Sequence, residues 1–228
     1  MRGLIATIVL AAALRAENIS GNIVINRKLT RRSVTPSVSL YQRGAMVELG
    51  KDSPSNQSES DPLAFERTRV AIWIEGAGSS PAPVGAVLEQ AGRRFDPDLV
   101  VVPVGSTVSF PNLDPIFHNV FSLSKAKPFD LGNYSKGQTR YVTFSKAGIV
   151  YVNCHLHPNM AATIVVTPNQ WCAKADRAGR FALRDLPPGQ YTVVAWHKSA
   201  GFFRKTVRIS PGQDARVEFV IPLSGGER

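Results

Sequence analysis

From Val70 to Thr167 the chain is cut into apolar runs of four to seven residues, separated by Pro, Gly, Asn and Asp. Runs of that length suit strands, whereas a helix needs about 10–12 residues of 3.6-residue periodicity, and no such stretch is evident here. The runs are Val70 to Ile74, Ala86 to Gln90, Asp98 to Val104, Ser106 to Phe110, Val120 to Leu123, Gln138 to Phe144, Ile149 to Cys154 and Ala162 to Thr167. Eight short segments at this spacing predict a β sandwich or barrel. With 16 Pro and 18 Gly among 228 residues, and 43% hydrophobic content, the chain has both the turns and the core that an all-β fold requires.

A second group of strand signals, Gly179 to Leu183, Pro187 to Val194, Thr206 to Ile209 and Arg216 to Ile221, predicts a small antiparallel β sandwich. Upstream, Ile19 to Ile25 and Ser37 to Tyr41 read as strands on either side of a basic turn. Lys51 to Pro62 is almost devoid of apolar side chains and reads as a linker or a long exposed loop. The expected divisions are residues 1–16, 17–66, 67–168 and 169–228.

Met1 and Arg2 lead into an apolar stretch from Leu4 to Leu14 that ends in small residues, the layout of a cleavable export signal with cleavage after Ala13 or Ala16. The stretch is too short to span a bilayer, and no membrane span is expected after cleavage. Lys plus Arg exceed Asp plus Glu by ten, which favours anionic partners, whether acidic proteins, membrane surfaces or nucleic acid, and charge alone does not choose among them. The basic residues are scattered without a dense tract, and nucleic acid is not an expected partner. Only two cysteines occur, Cys154 and Cys172, so the fold is expected to stand on its core rather than on disulfides.

The stretch Cys154-His-Leu-His-Pro-Asn-Met160 offers a thiolate, an imidazole at His157 and a thioether within seven residues, and His118 lies upstream. A thiolate with two imidazoles is a trigonal set suited to copper, and a weakly held Met completes the donor list of an electron-transfer site. A structural zinc site would want further Cys or His, and a bridged binuclear centre a second Cys in the loop. No G-x-S-x-G elbow is present, and Gly76-Ala-Gly-Ser-Ser-Pro81 lacks the third glycine of a dinucleotide loop. His155 is expected to be a bystander, His197 a strand-end surface residue and Cys172 a free thiol.

Residues 69–167 resemble the cupredoxins, the blue-copper β-sandwich family, with a C-x-x-H-x-x-M loop of the amicyanin type. The matching residues include Phe95-x-Pro97, Gly105-x-x-Val-x-Phe110, Asn112-x-Asp114, His118-Asn119-Val120, and Phe144 with Gly148. The resemblance implies a Greek-key sandwich holding one type 1 copper, with His118, Cys154 and His157 in the equatorial plane and Met160 axial. It also implies that Asn119 ties the His118 loop to the Cys154 loop. Residues 171–222 resemble the carboxypeptidase regulatory-like, transthyretin-type sandwich through Asp176-x-x-Gly179-Arg-Phe181 and Leu186-Pro-Pro-Gly189-x-Tyr191. Two arrangements are open for residues 19–49: a separate hairpin, or first strands donated to this C-terminal module, which would make the cupredoxin an insertion.

The implied function is that of an exported, non-enzymatic carrier shuttling single electrons through Cu(II) and Cu(I). Its redox partner would be an acidic protein, such as a cytochrome or dehydrogenase, docking on an apolar patch of Phe117, Leu156 and Pro158. The competing readings are a copper-binding module for storage, delivery or sensing, and a metal-free scaffold of the cell envelope.

Overall fold

A computed structural model describes residues 16–30, 61–76 and 82–222. The export signal up to residue 15, the expected strand 37–41 and most of the linker lie outside the described residues. β1 (Glu17–Ile25), the four-residue helix α1 (Ala64–Arg67) and β2 (Val70–Glu75) come first. There follow β3 (Gly85–Val87), β4 (Glu89–Ala91), β5 (Arg94–Asp96), β6 (Leu99–Pro103), β7 (Thr107–Pro111) and β8 (His118–Ser122). Next are β9 (Phe129–Tyr134), β10 (Thr139–Thr143), β11 (Gly148–Asn153) and β12 (Ala161–Thr167). The chain closes with β13 (Cys172–Lys174), β14 (Arg180–Leu186), β15 (Gly189–His197), β16 (Gly201–Ile209) and β17 (Ala215–Ile221). The fold is all-β, with α1 the only helix among the described residues.

The strands form two sandwiches. In the first, a five-stranded sheet ordered β6-β12-β11-β8-β9 faces a three-stranded sheet ordered β10-β7-β3. Their shared core contains Val102, Val108, Phe110, Val120, Phe144 and Ile164. In the second, a four-stranded sheet ordered β13-β2-β15-β16 faces β14-β1-β17 around Ile23, Ile72, Leu183, Val193 and Phe219. β1 pairs with β14 antiparallel and with β17 parallel, so residues 17–25 are strands of the C-terminal module. The parallel pair departs from the purely antiparallel sheet expected, because β1 arrives from a distant part of the chain and not through a hairpin.

The strand Val70–Glu75 corrects the expected boundary. Read as the opening strand of the first sandwich, it instead pairs with β15, from Val70 opposite His197 to Glu75 opposite Thr192, and with β13. The first sandwich, β3 to β12, is therefore inserted between two strands of the second. The reason for the misreading is visible in the residues. Val70, Ile72 and Ile74 enter the second core, while Ala71 and Trp73 face the other way. A run buried on both faces has no alternation to show which core it serves. β5, β9 and β13 were also absent from the sequence reading. β9, Phe-Asp-Leu-Gly-Asn-Tyr, is an edge strand interrupted by Gly132, and the other two have three residues each.

Those outward faces meet. Ala71, Trp73 and Trp196 of one unit pack on Leu99, Val101, Ile149 and Val165 of the other. The four larger sheets are thus stacked with three apolar layers between them, and β4 pairs with β5 in a separate two-stranded sheet. Arg69 adds an ion pair to Asp98 at the start of β6, its Nε lying 2.7 Å from Oδ2. Lys174 Nζ reaches the Leu99 carbonyl at 3.5 Å. Truncating a buried Trp costs about 3–5 kcal/mol. Trp196→Ala is expected to lower stability by that amount and to split one calorimetric unfolding transition into two.

His197, expected at the surface, is fully buried beside Glu66, itself 1% exposed. Its Nδ1 accepts the Ser199 amide at 3.2 Å, leaving Nε2 as the protonated nitrogen, 3.3 Å from Glu66 Oε2. Glu66 also accepts from Thr30 N at 2.9 Å and Thr30 Oγ1 at 2.8 Å, and so fastens the chain after β1 to α1 and β15. Burial pushes the His197 imidazole below its ordinary 6.5, against the pull of Glu66. Burial would raise Glu66 above 4.5, but the Thr30 donors and His197 together bring it below. For both groups the unfolded chain takes up a proton before the folded one does, so each contributes stability that falls away with acid. The His197 share is lost as pH drops below about 6.5 and the Glu66 share below about 4.5. Thermal unfolding of the metal-free protein is expected to shift downward from pH 7 to pH 5, with a shallower slope in His197→Gln.

Candidate metal centre

His118 is the first residue of β8, and the turn before it is set by Asn112. Asn112 Nδ2 donates to the carbonyls of Ile116 and Tyr134 at 2.9 and 3.0 Å, and its Oδ1 accepts the Asp114 amide at 3.0 Å. Asp114 is held in turn by the β4–β5 hairpin. The two residues of that turn, Gly92 and Arg93, have φ of 59° and 55°. Positive φ at both central positions is the two-residue hairpin geometry that matches strand twist. It aims both amides at the Asp114 carboxylate, at 2.6 Å from Gly92 and 2.8 Å from Arg93. Asp114 stays below its ordinary carboxylate range: desolvation pulls it up, and the Arg93 and Gly92 amides with His118 outweigh that.

The third partner of Asp114 is His118 Nε2, at 2.8 Å. That bond fixes the tautomer: Nε2 carries the proton, and Nδ1 presents a lone pair to the interior. His118 is fully buried and Cys154, just beyond β11, is 4% exposed. His157 is half-buried. His118 Nδ1 lies 3.1 Å from His157 Nδ1, and Cys154 Sγ lies 3.8 Å from His157 Nδ1. The three donor atoms all fall within 4.8 Å of one another. Desolvation, then His118 and Arg93, push His157 below its ordinary value, with Asp114 opposing. The shift favours the neutral imidazole, the form in which histidine binds a metal ion.

Met160 is 1% exposed and belongs to the same buried cluster as Cys154. Its amide donates to the His157 carbonyl at 2.9 Å, which closes the loop from His157 back to β12. Asn119 connects the two stretches: its amide points to Cys154 Sγ at 3.5 Å, and its Oδ1 accepts the His155 amide at 3.4 Å. Its Nδ2 donates to Asp130 at 2.7 Å, which holds the side chain in place.

His155 stands outside the donor group. It is exposed, lies flat on Phe121 with ring centroids 3.6 Å apart, and faces Asp130 at 3.8 Å. Cys172 is a free, partly buried thiol in the second sandwich, raised above its ordinary pKa by burial, with a bond to Thr167 opposing. Cys154 is unbridged as well. The sequence alone assigns Asp114 no role. The signal was its position four residues before a donor histidine, and the missing half was the Gly92-Arg93 turn that comes from elsewhere in the chain.

The donor set fits a metal ion. Separations of 3.1 and 3.8 Å, with all three donors inside 4.8 Å, suit a centre with bonds of about 2.0–2.3 Å, and thiolate with imidazole suits copper better than hard cations. No protein-family model and no curated protein matches the chain. Among solved structures, the Cu-containing nitrite reductase from Thermus scotoductus SA-01 aligns at 26% identity and TM-score 0.36, over 40% of this chain and 24% of that one. A purple cupredoxin from Nitrosopumilus maritimus aligns at 22% and 0.33, over 36% of this chain and 99% of its own. An oxidised amicyanin mutant aligns at 26% and 0.35, over 42% and 98%. This chain thus spans about a quarter of the nitrite reductase.

Partners that orient a metal-binding histidine typically contribute 10–100-fold to affinity. Asp114→Asn, which keeps the shape and loses the charge, is expected to weaken Cu(II) binding by about that factor while circular dichroism stays unchanged. An affinity within twofold of the wild type would remove Asp114 from the role.

Proposed function

We propose that the protein is an exported cupredoxin-type electron carrier holding one type 1 copper, with His118, Cys154 and His157 as equatorial ligands and Met160 as the axial one. The observation that carries this reading is the convergence of two imidazole Nδ1 atoms and one thiol sulfur within 4.8 Å at the buried end of a sandwich. Copper held there supplies one-electron exchange between Cu(II) and Cu(I). The protein's part is to keep the donors still. His118 is fixed through Asp114 and Asn112, Cys154 through the Asn119 amide, and Met160 through the closed loop and the core around it. A donor set that does not shift between oxidation states lets an electron move with little rearrangement.

Most of the donor group is shut off from water, and His157 is the donor nearest the surface. Its chain neighbours Leu156 and Pro158 are exposed, as are Leu113 and Phe117 in the segment that leads to His118. An exposed apolar patch over an otherwise buried centre is a docking surface for a protein partner. Electrons would pass by way of the His157 ring, and the basic surface would steer an acidic partner. Reduction by such a partner would slow as salt rises.

The test is titration of the metal-free protein with Cu(II), followed optically and by EPR. One copper per chain and an intense visible thiolate-to-copper band are expected. Cys154→Ser should lose the band, while Cys172→Ser should keep it. Binding without the band, or a band that survives Cys154→Ser, would overturn the assignment.

A further inference from the structure

Where the two sandwiches meet beside the ligand loop there is an open cleft of about 690 Å³. Asn159 and Ala161, the neighbours of Met160, form part of its wall, as does Gly92 of the hairpin that holds Asp114. A second hollow of about 430 Å³ shares Arg69, Asp98, Asn159 and Ala161 with it, so the two adjoin. Arg69 and Asp98 neutralise each other across this junction. The remaining charges are Arg94 from the first sandwich, and Lys174, Arg177 and Lys198 from the second, against Asp96 alone. None of the seven ion pairs among the described residues uses any of these four cations. Arg94, Lys174, Arg177 and Lys198 are all exposed.

Three cations lining the first hollow and a fourth lining the hollow beside it, with one opposing carboxylate, make a local positive field that a cleft concentrates. Guanidinium forks match carboxylates in two-point geometry. The cleft is too open and too polar to suit a small apolar ligand, which calls for an enclosed apolar pocket. It is also a poor track for nucleic acid. Of the three aromatic rings lining the two hollows, Phe95 and Trp196 are buried and Phe65 carries the Arg69 guanidinium 4.1 Å from its centre, so no row of open stacking faces is offered.

We propose that this cleft seats an acidic segment of a protein partner, so that the second sandwich supplies half of the docking surface and the partner straddles both units. The proposal rests on the electron-carrier reading, since the cleft adjoins the loop that carries His157. It gives the second sandwich a part in recognition: Lys174 and Arg177 extend the docking area from the apolar patch across the junction.

The experiment is a titration of the isotope-labelled, metal-free full chain with octaglutamate at low salt, followed by NMR. Amide shifts are expected to concentrate at residues 94, 159–161 and 174–177. The exposed double variant Lys174→Glu/Arg177→Glu should weaken binding about tenfold or more, while Arg184→Glu/Arg208→Glu, outside the cleft, should leave it unchanged. Shifts scattered over the surface, or unchanged binding by the cleft variant, would overturn the proposal. So would a single-stranded oligonucleotide that displaces octaglutamate at the same amides with higher affinity. Because the protein carries no copper in this assay, failure here is separate from failure of the copper titration.

Discussion

Two imidazole nitrogens stand 3.1 Å apart inside this protein, close enough to share one proton or one metal ion. That arrangement is the constraint on which the rest of the site depends. It is maintained because His118 cannot turn away: its other nitrogen is tied to a carboxylate, and that carboxylate is tied to two backbone amides. A neutral acceptor would orient the ring equally well. A carboxylate also makes Nδ1 a stronger donor, which favours whatever cation fills the gap. The sulfur of Cys154 beside them gives the gap a preference for soft metals.

The donors come from two distant parts of the chain, residue 118 and residues 154–160, and the scaffold has to bring them together reproducibly. β8 and β11 are neighbours in the five-stranded sheet, with Asn153 opposite Phe121, so the strand that begins with His118 lies beside the strand that ends just before Cys154. Asn119 then links the two stretches at the level of the site itself. The same sheet is covered on both faces, by its own partner sheet and by the second sandwich, which leaves little room for it to flex.

What could be read from the sequence divides along physical lines. The donor residues were legible because chemistry restricts them to a few residue types and a tight loop places three of them within seven residues. The strands were legible where one face is buried, as in β17, whose buried Val217 and Phe219 alternate with exposed Arg216 and Glu218. Val70–Ile74 was legible as a strand but not as a member of a particular sheet, since burial on both sides erases the period that would assign it. His197 was misjudged because nothing near it in sequence announces Glu66, 131 positions earlier, as its partner. Asp114 was seen and given no role for the same reason: its meaning depends on two amides from a hairpin some twenty residues away.

The insertion explains a feature that is hard to account for in a sandwich standing alone. Leu99, Val101, Ile149 and Val165 lie on the outer face of the five-stranded sheet, and without a neighbour they would form an exposed apolar strip of the kind that soluble proteins avoid. Ala71, Trp73 and Trp196 cover that strip, with Ala71 opposite Trp196 in the pairing of β2 with β15. Cover on one side and the metal site at the end of the same sheet are therefore not independent. The sheet that carries the donors is covered from behind by a module whose own strands flank it in sequence, so two chain connections, and not one, hold the covering module to it.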